Sequence, residues 1–360
     1  MPERDGTYRD ARFDFARGVA LLIIFSDHVA GNVLTSFTPV AYGLSDMAEV
    51  FIFTSGYVCG LTYGKRLRNS GFVNCLMRAW RRAGQVYAAM LVASVAMLTL
   101  AIVVGGPPIV TIVGDQWSIH DAQGAPFKTL CLLAACRIEI YPFFVLAIYI
   151  PLLLTLPLFL NAFRISPTLS LLASAFVYSM VQFYPALVSL PVTWQRVLFF
   201  NPFAWQLLFF TAASLGMLEP RTRASLRPNW LLAILAGGLL ELSFLICLYA
   251  GESRIPWTGK SRLEWLRLLH FAAVTVVGWK LIPSSESLAK NKLCRPLILC
   301  GSSTLLVYCT ASILGICGEC LFRHFGNGWT LQAIVNIGGW SGCIAVAAFW
   351  RTIRNRARRC

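Results

Sequence analysis

Long apolar runs alternate with short polar segments along the whole chain. Many of these runs approach the roughly 20 residues that an α-helix needs to cross a hydrocarbon core. Inside that core every backbone N–H and C=O needs a partner within the chain, so the runs are predicted to be helices. The short alternating strands of a membrane barrel do not occur in this pattern. Ten spans are predicted, at residues 16–37, 46–64, 83–104, 141–160, 168–188, 203–218, 229–249, 265–282, 297–321 and 331–350.

Two further apolar segments, 128–137 and 186–201, are too short to cross and are predicted to be re-entrant or interfacial. There is no internal repeat, no low-complexity segment and no long hydrophilic insert between the spans. The predicted fold is therefore an all-α integral membrane protein, with about ten transmembrane helices in one polytopic domain over residues 1–360.

Composition and charge support this class and give an orientation. Hydrophobic residues make up 57% of the 360-residue chain and charged residues only 13%, about half of what soluble proteins carry. Of the 31 Lys and Arg residues, 23 lie on the side of the N-terminus in this topology, so both termini are predicted to be cytoplasmic. The net charge of +15 lies between the spans, a pattern that indicates membrane topology and not a nucleic-acid partner.

The twelve cysteines mostly lie within apolar runs and have no disulfide framework spacing. Cys317, Cys320 and His324 are spaced like metal ligands. They are predicted on one continuous helix without a fourth ligand, so no metal site is predicted.

Ionisable residues inside the first span are the strongest functional signal, because such residues are costly in lipid. Arg17 and His28 are eleven residues apart, which would place them on one helix face about 16 Å apart, with Asn32 on the same stripe. A buried neutral imidazole can act as a general base. Asp27 points about 100° away from His28, so a carboxylate of the second span is the expected partner. The alternative is that Arg17 anchors the helix at the interface and His28 makes a structural bond.

The second span has Asp46 and Glu49 near its outer end and Ser55 further in. Glu49 is the predicted catalytic carboxylate, and Asp46 and Ser55, with Asp27 and Asn32 of the first span, are predicted to contact substrate. A row of small residues follows on this span and would let another helix or a ligand approach closely. Helix packing explains the row as well as a ligand does. The row is Gly56, Gly60 and Gly64.

The predicted cytoplasmic loop 64–83 contains Arg78, Arg81 and Arg82 at spacings that place them on one helical face. This face could bind the phosphates of a nucleotide-bearing donor. The alternative is topology-determining charge in contact with anionic lipid.

Polar and aromatic residues on the predicted outer side are candidates for contact with a carbohydrate, although aromatic residues at membrane interfaces are common. The candidates are Arg137, Tyr141, Trp205, Gln206, Arg267 and His270.

The run RFDFARGVALLIIFSDH resembles the first helix of the acyltransferase 3 superfamily, in which an Arg-Gly pair is followed by a His on the same helix. VFIFTSGYVCGL is similar to the Phe-rich second helix of that superfamily. The chain more closely resembles the OpgC-type branch, which succinylates osmoregulated periplasmic glucans. The segments that carry this resemblance are SDHVAGN, YPFFVLAIYIPLLL, FNPFAWQLLF, LRLLHFAAV and GSSTLLVYC.

The resemblance implies a multi-pass protein of the bacterial inner membrane that works with membrane lipids around it. It implies an acyl-CoA donor, such as succinyl-CoA, used from the cytoplasm, with no permanently bound cofactor, and a periplasmic glucan or other glycan as acceptor. His28 would deprotonate a sugar hydroxyl or carry the acyl group, and Arg17 would bind the donor or hold the site together. The main alternative is a transporter or flippase for a sugar- or lipid-linked solute, although the inverted repeats of many transporters are not detected.

Overall fold

The computed structural model describes residues 10–104, 112–114, 117–188, 190–191, 197–251 and 255–357, and this part of the chain is mostly helical. Two short strands, β1 (Ile112–Gly114) and β2 (Ile138–Ile140), pair antiparallel with Val113 opposite Glu139. The helices are α1 (Ala11–Asp27), a 3₁₀ helix (Val33–Phe37), α2 (Pro39–Tyr42), α3 (Met47–Val104), α4 (Ile119–Gly124), α5 (Pro126–Ala134), α6 (Phe144–Ile165), α7 (Pro167–Phe183), α8 (Pro202–Met217), α9 (Pro220–Ser225), α10 (Trp230–Ala250), α11 (Trp265–Leu281), α12 (Ser285–Lys290), α13 (Arg295–Ser302), α14 (Thr304–Phe325) and α15 (Trp329–Ala357).

Five helices in the described ranges, α3, α6, α10, α14 and α15, are long and apolar enough to cross a membrane. The apolar helices α7 and α8 are shorter, at 17 and 16 residues. The chain is therefore an all-α, multi-pass membrane protein. The total of ten spans and the side of each terminus stay predictions.

The prediction of a loop at residues 64–83 is wrong. Helix α3 continues through this segment and includes both the second and the third predicted span. Its 58 residues are interrupted at Gly71, where φ is 80° and ψ is 174°. That left-handed conformation favours glycine, which has no Cβ to clash. The basic residues of this stretch are helix-forming types, so the segment changes direction at a single residue and remains helical on both sides.

The prediction of one continuous first span over 16–37 is also wrong. Helix α1 ends at Asp27, and the N–H of His28 caps it by donating to the carbonyls of Ile24 and Phe25. Gly31 follows with φ 81°, and the side chain of Asn32 caps the next, 3₁₀ helix. Asn32 therefore does not continue the α1 stripe of Arg17, whereas His28 is the residue at which α1 ends.

The predicted span 297–321 consists of two helices, because the chain bends at Ser303 between α13 and α14. Only α14 is a crossing helix by length and hydropathy. Of the two short apolar segments, 128–137 contains α5, and 186–201 lies partly outside the described residues.

The chain divides into two compact units. The first unit comprises 1–54, 228–245 and 271–360, and the second comprises 55–227 and 246–270. In the first unit, α1 and α13 pack through two glycines. A Cβ at Gly18 would overlap the backbone of Leu297, and one at Gly301 would overlap the backbone of Asp14. The pairing of these positions means that α1 and α13 run in opposite directions.

In the second unit, the glycine row of α3 packs against α8. A side chain at Gly56 would clash with the backbone of Phe209, and one at Gly60 with the backbone of Ala213. From the first pair to the second, the residue number increases by four in both helices, so α3 and α8 run in the same direction. Close packing between helices explains the glycine row, as the alternative interpretation of the sequence stated.

Candidate functional site

The turn after α1 presents the imidazole of His28 in a defined tautomer. His28 is half-buried, and its Nδ1 lies 2.7 Å from the carbonyl oxygen of Ile24. A carbonyl only accepts hydrogen bonds, so Nδ1 carries the proton and Nε2 is the nitrogen with the lone pair when the ring is neutral. This is the arrangement that a general base or a nucleophile requires.

A network of neutral side chains holds the turn that follows His28. The amides of Asn32 and Asn336 bond to each other reciprocally, at 2.9 and 3.0 Å, and both residues are 5% exposed. Gln332 donates to the carbonyl of Gly31 at 2.7 Å and accepts from the N–H of Val33 at 3.2 Å. Helix α15 thus fixes the backbone that follows the imidazole. Asn336 and Gln332 were not predicted, because the pairing spans about 300 residues and the pattern of α15 does not single them out.

Arg17 lies in a buried ion pair. Its guanidinium is 2.5 Å from the carboxylate of Asp14, one turn earlier on α1, and donates to the hydroxyl of Thr304 at 3.3 Å. Arg17 is 7% exposed and Asp14 is 3% exposed. The Nε–H of Arg17 has no hydrogen-bond partner among the described residues. Asp14 was not predicted as part of the site, although its spacing from Arg17 is a signal for a helical ion pair.

The three carboxylates near the first-span turn have structural contacts. Asp46 accepts from the N–H of Ala48, and Glu49 accepts from the N–H of Asp46. These two bonds cap the start of α3. Asp27 accepts from the hydroxyl of Thr38 at 2.7 Å and so ties the end of α1 to the following segment. Both buried carboxylates thus take part in capping α3, and the catalytic role of Glu49 stays a prediction.

The bend of α3 creates a cleft lined by cations. The two arms of α3 meet across Gly71, where the thiol of Cys75 donates to the carbonyl of Tyr63 at 3.6 Å. Between the arms lies a cleft of about 410 Å³. No carboxylate lines it, and the guanidinium groups are exposed. Its lining residues are Thr62, Tyr63, Arg78, Arg81, Arg82 and Gln85.

Three other predicted substrate residues of the second unit are buried. Ser55 is 8% exposed. Trp205 is fully buried, and its indole N–H donates to the carbonyls of Lys260 and Ser261. Gln206 accepts from the hydroxyl of Ser174 at 2.6 Å and donates to the Ser174 carbonyl at 2.8 Å. The polar atoms of Trp205 and Gln206 are thus used in holding the unit together.

The remaining predicted residues differ in exposure. Arg267 and His270 are three residues apart on α11 and are buried. Arg137 and Tyr141 are exposed at the surface before α6.

Glu139 lies between Arg137 and Tyr141, on β2, and is only 2% exposed. Its Oε1 atom has no hydrogen-bond partner among the described residues. Burial raises the pKa of the Glu139 carboxyl from 4.5 to about 8, because desolvation penalises the charged form. Charged and apolar residues alternate from Arg137 to Ile140, a pattern that gave no signal for the burial of Glu139.

The described ranges contain no cluster of three or more His, Cys, Asp or Glu side chains that could hold a metal ion. Cys317, Cys320 and His324 all lie on α14, where His324 contacts the carbonyl of Cys320.

These features define a helical membrane protein with a base-like imidazole at a helix end and a separate cationic cleft. A family model for the OpgC protein matches residues 9–355, nearly the whole chain. The chain belongs to the OpgC protein family and is an acyltransferase-like membrane protein. No curated protein and no solved structure matches it.

Proposed function

We propose that this protein is an O-acyltransferase of the bacterial inner membrane. It would move an acyl group from a cytoplasmic acyl-CoA to hydroxyl groups of a periplasmic glucan or related glycan, and succinyl-CoA is the donor to test first. The observation that carries the proposal is the hydrogen bond from His28 Nδ1 to the Ile24 carbonyl, because it assigns the lone pair to Nε2.

In the proposed reaction, Nε2 of His28 takes the proton from an acceptor hydroxyl as its oxygen attacks the thioester carbonyl. The new C–O ester bond forms, the C–S bond breaks, and the leaving thiolate takes the proton from the imidazolium. No oxidant or reductant is required. General-base assistance of this kind contributes about 10²–10⁴-fold to the rate.

The contacts of Arg17 favour one of the two roles that the resemblance implies. Asp14 offsets the charge of the guanidinium at 2.5 Å, which weakens Arg17 as a receptor for an anion. Its Nε–H is a buried donor without a partner among the described residues. We therefore assign Arg17 mainly to holding α1 to α14 through Thr304, with Nε available to one substrate oxygen.

The cleft at the α3 bend is proposed to bind the phosphates of the donor. Three exposed guanidinium groups without a carboxylate among the lining residues produce a positive field. Arginine binds phosphate through paired, charge-assisted hydrogen bonds.

The proposal is tested with purified full-length protein in liposomes, given radiolabelled succinyl-CoA and a purified periplasmic glucan. Wild type is expected to transfer label to the glucan, and His28→Ala is expected to lose about 10²–10⁴-fold in rate. The matched control is His324→Ala, which removes an exposed imidazole from α14 and is expected to leave the rate unchanged.

Two results would contradict the proposal. Normal transfer by a folded His28→Ala variant would remove the assigned base. Uptake of labelled solute into the liposomes without any acylated product would support the transporter alternative instead. Label that remains bound to the protein after denaturation would indicate that His28 or another residue carries the acyl group.

A further inference from the structure

The arm of α3 that follows Gly71 presents cations and hydrogen-bond donors to the cleft at the bend. The guanidinium groups of Arg78, Arg81 and Arg82 only donate, and no carboxylate is among the lining residues. The amide of Gln85 can donate or accept, but its oxygen accepts from Arg82 at 3.2 Å. This bond directs the oxygen to Arg82 and leaves the NH2 group of Gln85 as a donor.

Tyr63, on the arm that precedes Gly71, adds a buried hydroxyl. It lines the cleft although the residue is only 6% exposed. The hydroxyl forms no hydrogen bond with any residue that the structure describes, and Arg82 and Arg78 act on it electrostatically. A buried hydroxyl without a partner costs free energy, and an acceptor bound in the cleft removes this cost. The hydroxyl is thus a donor for a ligand that lies between the two arms.

The two arms gather these donors round one space. The arms are joined at Gly71 and touch again where the thiol of Cys75 donates to the carbonyl of Tyr63 at 3.6 Å. The arginines begin at Arg78, just beyond this contact, and the cleft has a volume of about 410 Å³. This arrangement suits a compact anion with several oxygens.

A phosphomonoester matches this lining better than the other anions of an acyl-CoA molecule. It carries close to two negative charges at neutral pH and has three terminal oxygens that accept hydrogen bonds. Each phosphate of the diphosphate bridge has a single charge and two terminal oxygens, and a carboxylate on the acyl group has no more. Three guanidinium groups with two further donors are best satisfied by the anion with the most charge and the most oxygens.

We propose that the cleft binds the 3′-phosphate of CoA, which is the phosphomonoester at the nucleotide end of the donor, and that Tyr63 determines specificity for it. The identity of the donor rests on the proposed function. A donor that lacks the 3′-phosphate leaves the Tyr63 hydroxyl buried without an acceptor, so the site discriminates against it. Recognition depends on the charge of the ligand and on the number of its acceptor oxygens.

The proposal is tested by calorimetric titration of full-length protein in phosphatidylcholine nanodiscs with CoA and with dephospho-CoA, which have no acyl group to transfer. Wild type is expected to bind CoA about 100-fold more tightly than dephospho-CoA, because the charge-assisted bonds to the 3′-phosphate are missing in the second ligand. The variant with Arg78, Arg81 and Arg82 replaced by alanine is expected to bind both ligands equally weakly. Tyr63→Phe keeps the ring and is expected to lower the ratio of the two affinities about tenfold, because one hydrogen bond to a charged group is lost.

The matched control is Tyr87→Phe, on the arm that carries the arginines. The hydroxyl of Tyr87 donates to the carbonyl of Ala134, so this variant is expected to keep the wild-type ratio of affinities. A thermal melt verifies that each variant is folded. Equal affinity of wild type for CoA and dephospho-CoA would overturn the proposal, and so would a folded Tyr63→Phe variant with the wild-type ratio.

A lipid phosphomonoester offers the same chemistry as the 3′-phosphate, so the titrations are repeated in nanodiscs that contain phosphatidate. Loss of CoA binding in these nanodiscs would assign the cleft to a lipid headgroup and overturn the proposal. The expected ratio of affinities without any acyl transfer to glucan would contradict the proposed function and leave the phosphate site standing. Transfer that is equally efficient from succinyl-CoA and from its dephospho analogue would support the function and overturn this inference.

Discussion

The turn at His28 and the cleft at the α3 bend handle polar groups in opposite ways. At the turn, neutral amides and backbone carbonyls hold one imidazole, and the clamping residues Asn336 and Gln332 are each 5% exposed. At the cleft, three guanidinium groups are exposed, and no carboxylate is among the lining residues. The first arrangement fixes the position of the imidazole, and proton transfer needs such a fixed position. The second creates a field that attracts anions with little restriction of their pose.

Because of this difference, variants of the two regions are expected to change different kinetic parameters. A change at the turn is expected to lower kcat, because it disturbs a positioned group. A change at the cleft is expected to raise KM for the donor, because it removes attraction that the ground state and the transition state share.

The largest effect is expected from Asp14→Leu, which leaves the Arg17 charge buried without its counter-ion. Breaking a buried ion pair on one side costs about 3–5 kcal/mol of unfolding free energy. Thermal unfolding in detergent, followed by tryptophan fluorescence, measures the loss. The control is Glu286→Ala, whose ion pair with Lys290 is exposed and is expected to cost less than about 1 kcal/mol.

The double variant Asp14→Leu, Arg17→Met separates the effect of Arg17 on stability from its effect on activity. It is expected to recover most of the stability while transfer activity stays low, because the Nε–H of Arg17 is lost. Recovery of both stability and activity would reduce Arg17 to a structural residue.

The next effect is expected at the cleft. Replacing Arg78, Arg81 and Arg82 together with alanine is expected to raise KM for acyl-CoA by about 10–100-fold, since charge-assisted phosphate bonds are lost. Steady-state kinetics at low and high salt measure it, and the variant is expected to lose salt sensitivity. The control replaces Arg351, Arg354 and Arg356 of α15, a triple of equal charge, and an equal rise in KM there would contradict a specific donor site.

A smaller effect is expected from Asn336→Ala, which leaves the buried Asn32 amide without its reciprocal partner. Asn32 keeps its bonds to Ser26 and Leu34, so losing the two bonds with Asn336 is expected to cost about 1–3 kcal/mol. Loosening of the His28 turn is expected to lower kcat about tenfold with KM for the donor little changed. Asn355→Ala, on the exposed end of the same helix, is the control. A rise in KM without a fall in kcat would show that the clamp does not position the base.

The last prediction concerns the pH dependence of stability that Glu139 contributes. Burial raises the pKa of its carboxyl in the folded protein to about 8 from 4.5. Between these pH values the folded state binds more protons than the unfolded state. The contribution of Glu139 to the free energy of unfolding is therefore largest below pH 4.5 and falls as pH rises towards 8, by at most about 1.4 kcal/mol per pH unit.

Melting temperatures across this pH range, compared between wild type and Glu139→Gln, check the effect of Glu139. The Gln variant is expected to lack this fall. An identical pH profile for both proteins would assign the dependence to other groups.

Several elements could be predicted from the pattern of the chain. The spans predicted at 203–218 and 265–282 correspond to α8 (Pro202–Met217) and α11 (Trp265–Leu281). Apolar runs in lipid have to satisfy their own backbone, so helix location follows from hydropathy alone. The family was likewise suggested by the Arg17 and His28 region, and the family model confirms it.

The sequence by itself determined the class of protein, the apolar helices and the candidate base, because these depend on local composition and spacing. Only the tertiary structure decided that α1 stops before His28, that α3 bends at Gly71, and that Asn336 holds Asn32. Each of these outcomes depends on a backbone angle at one residue or on a partner far along the chain. Hydropathy reports how a residue prefers water or lipid, and it carries no information about which distant group will satisfy a hydrogen bond.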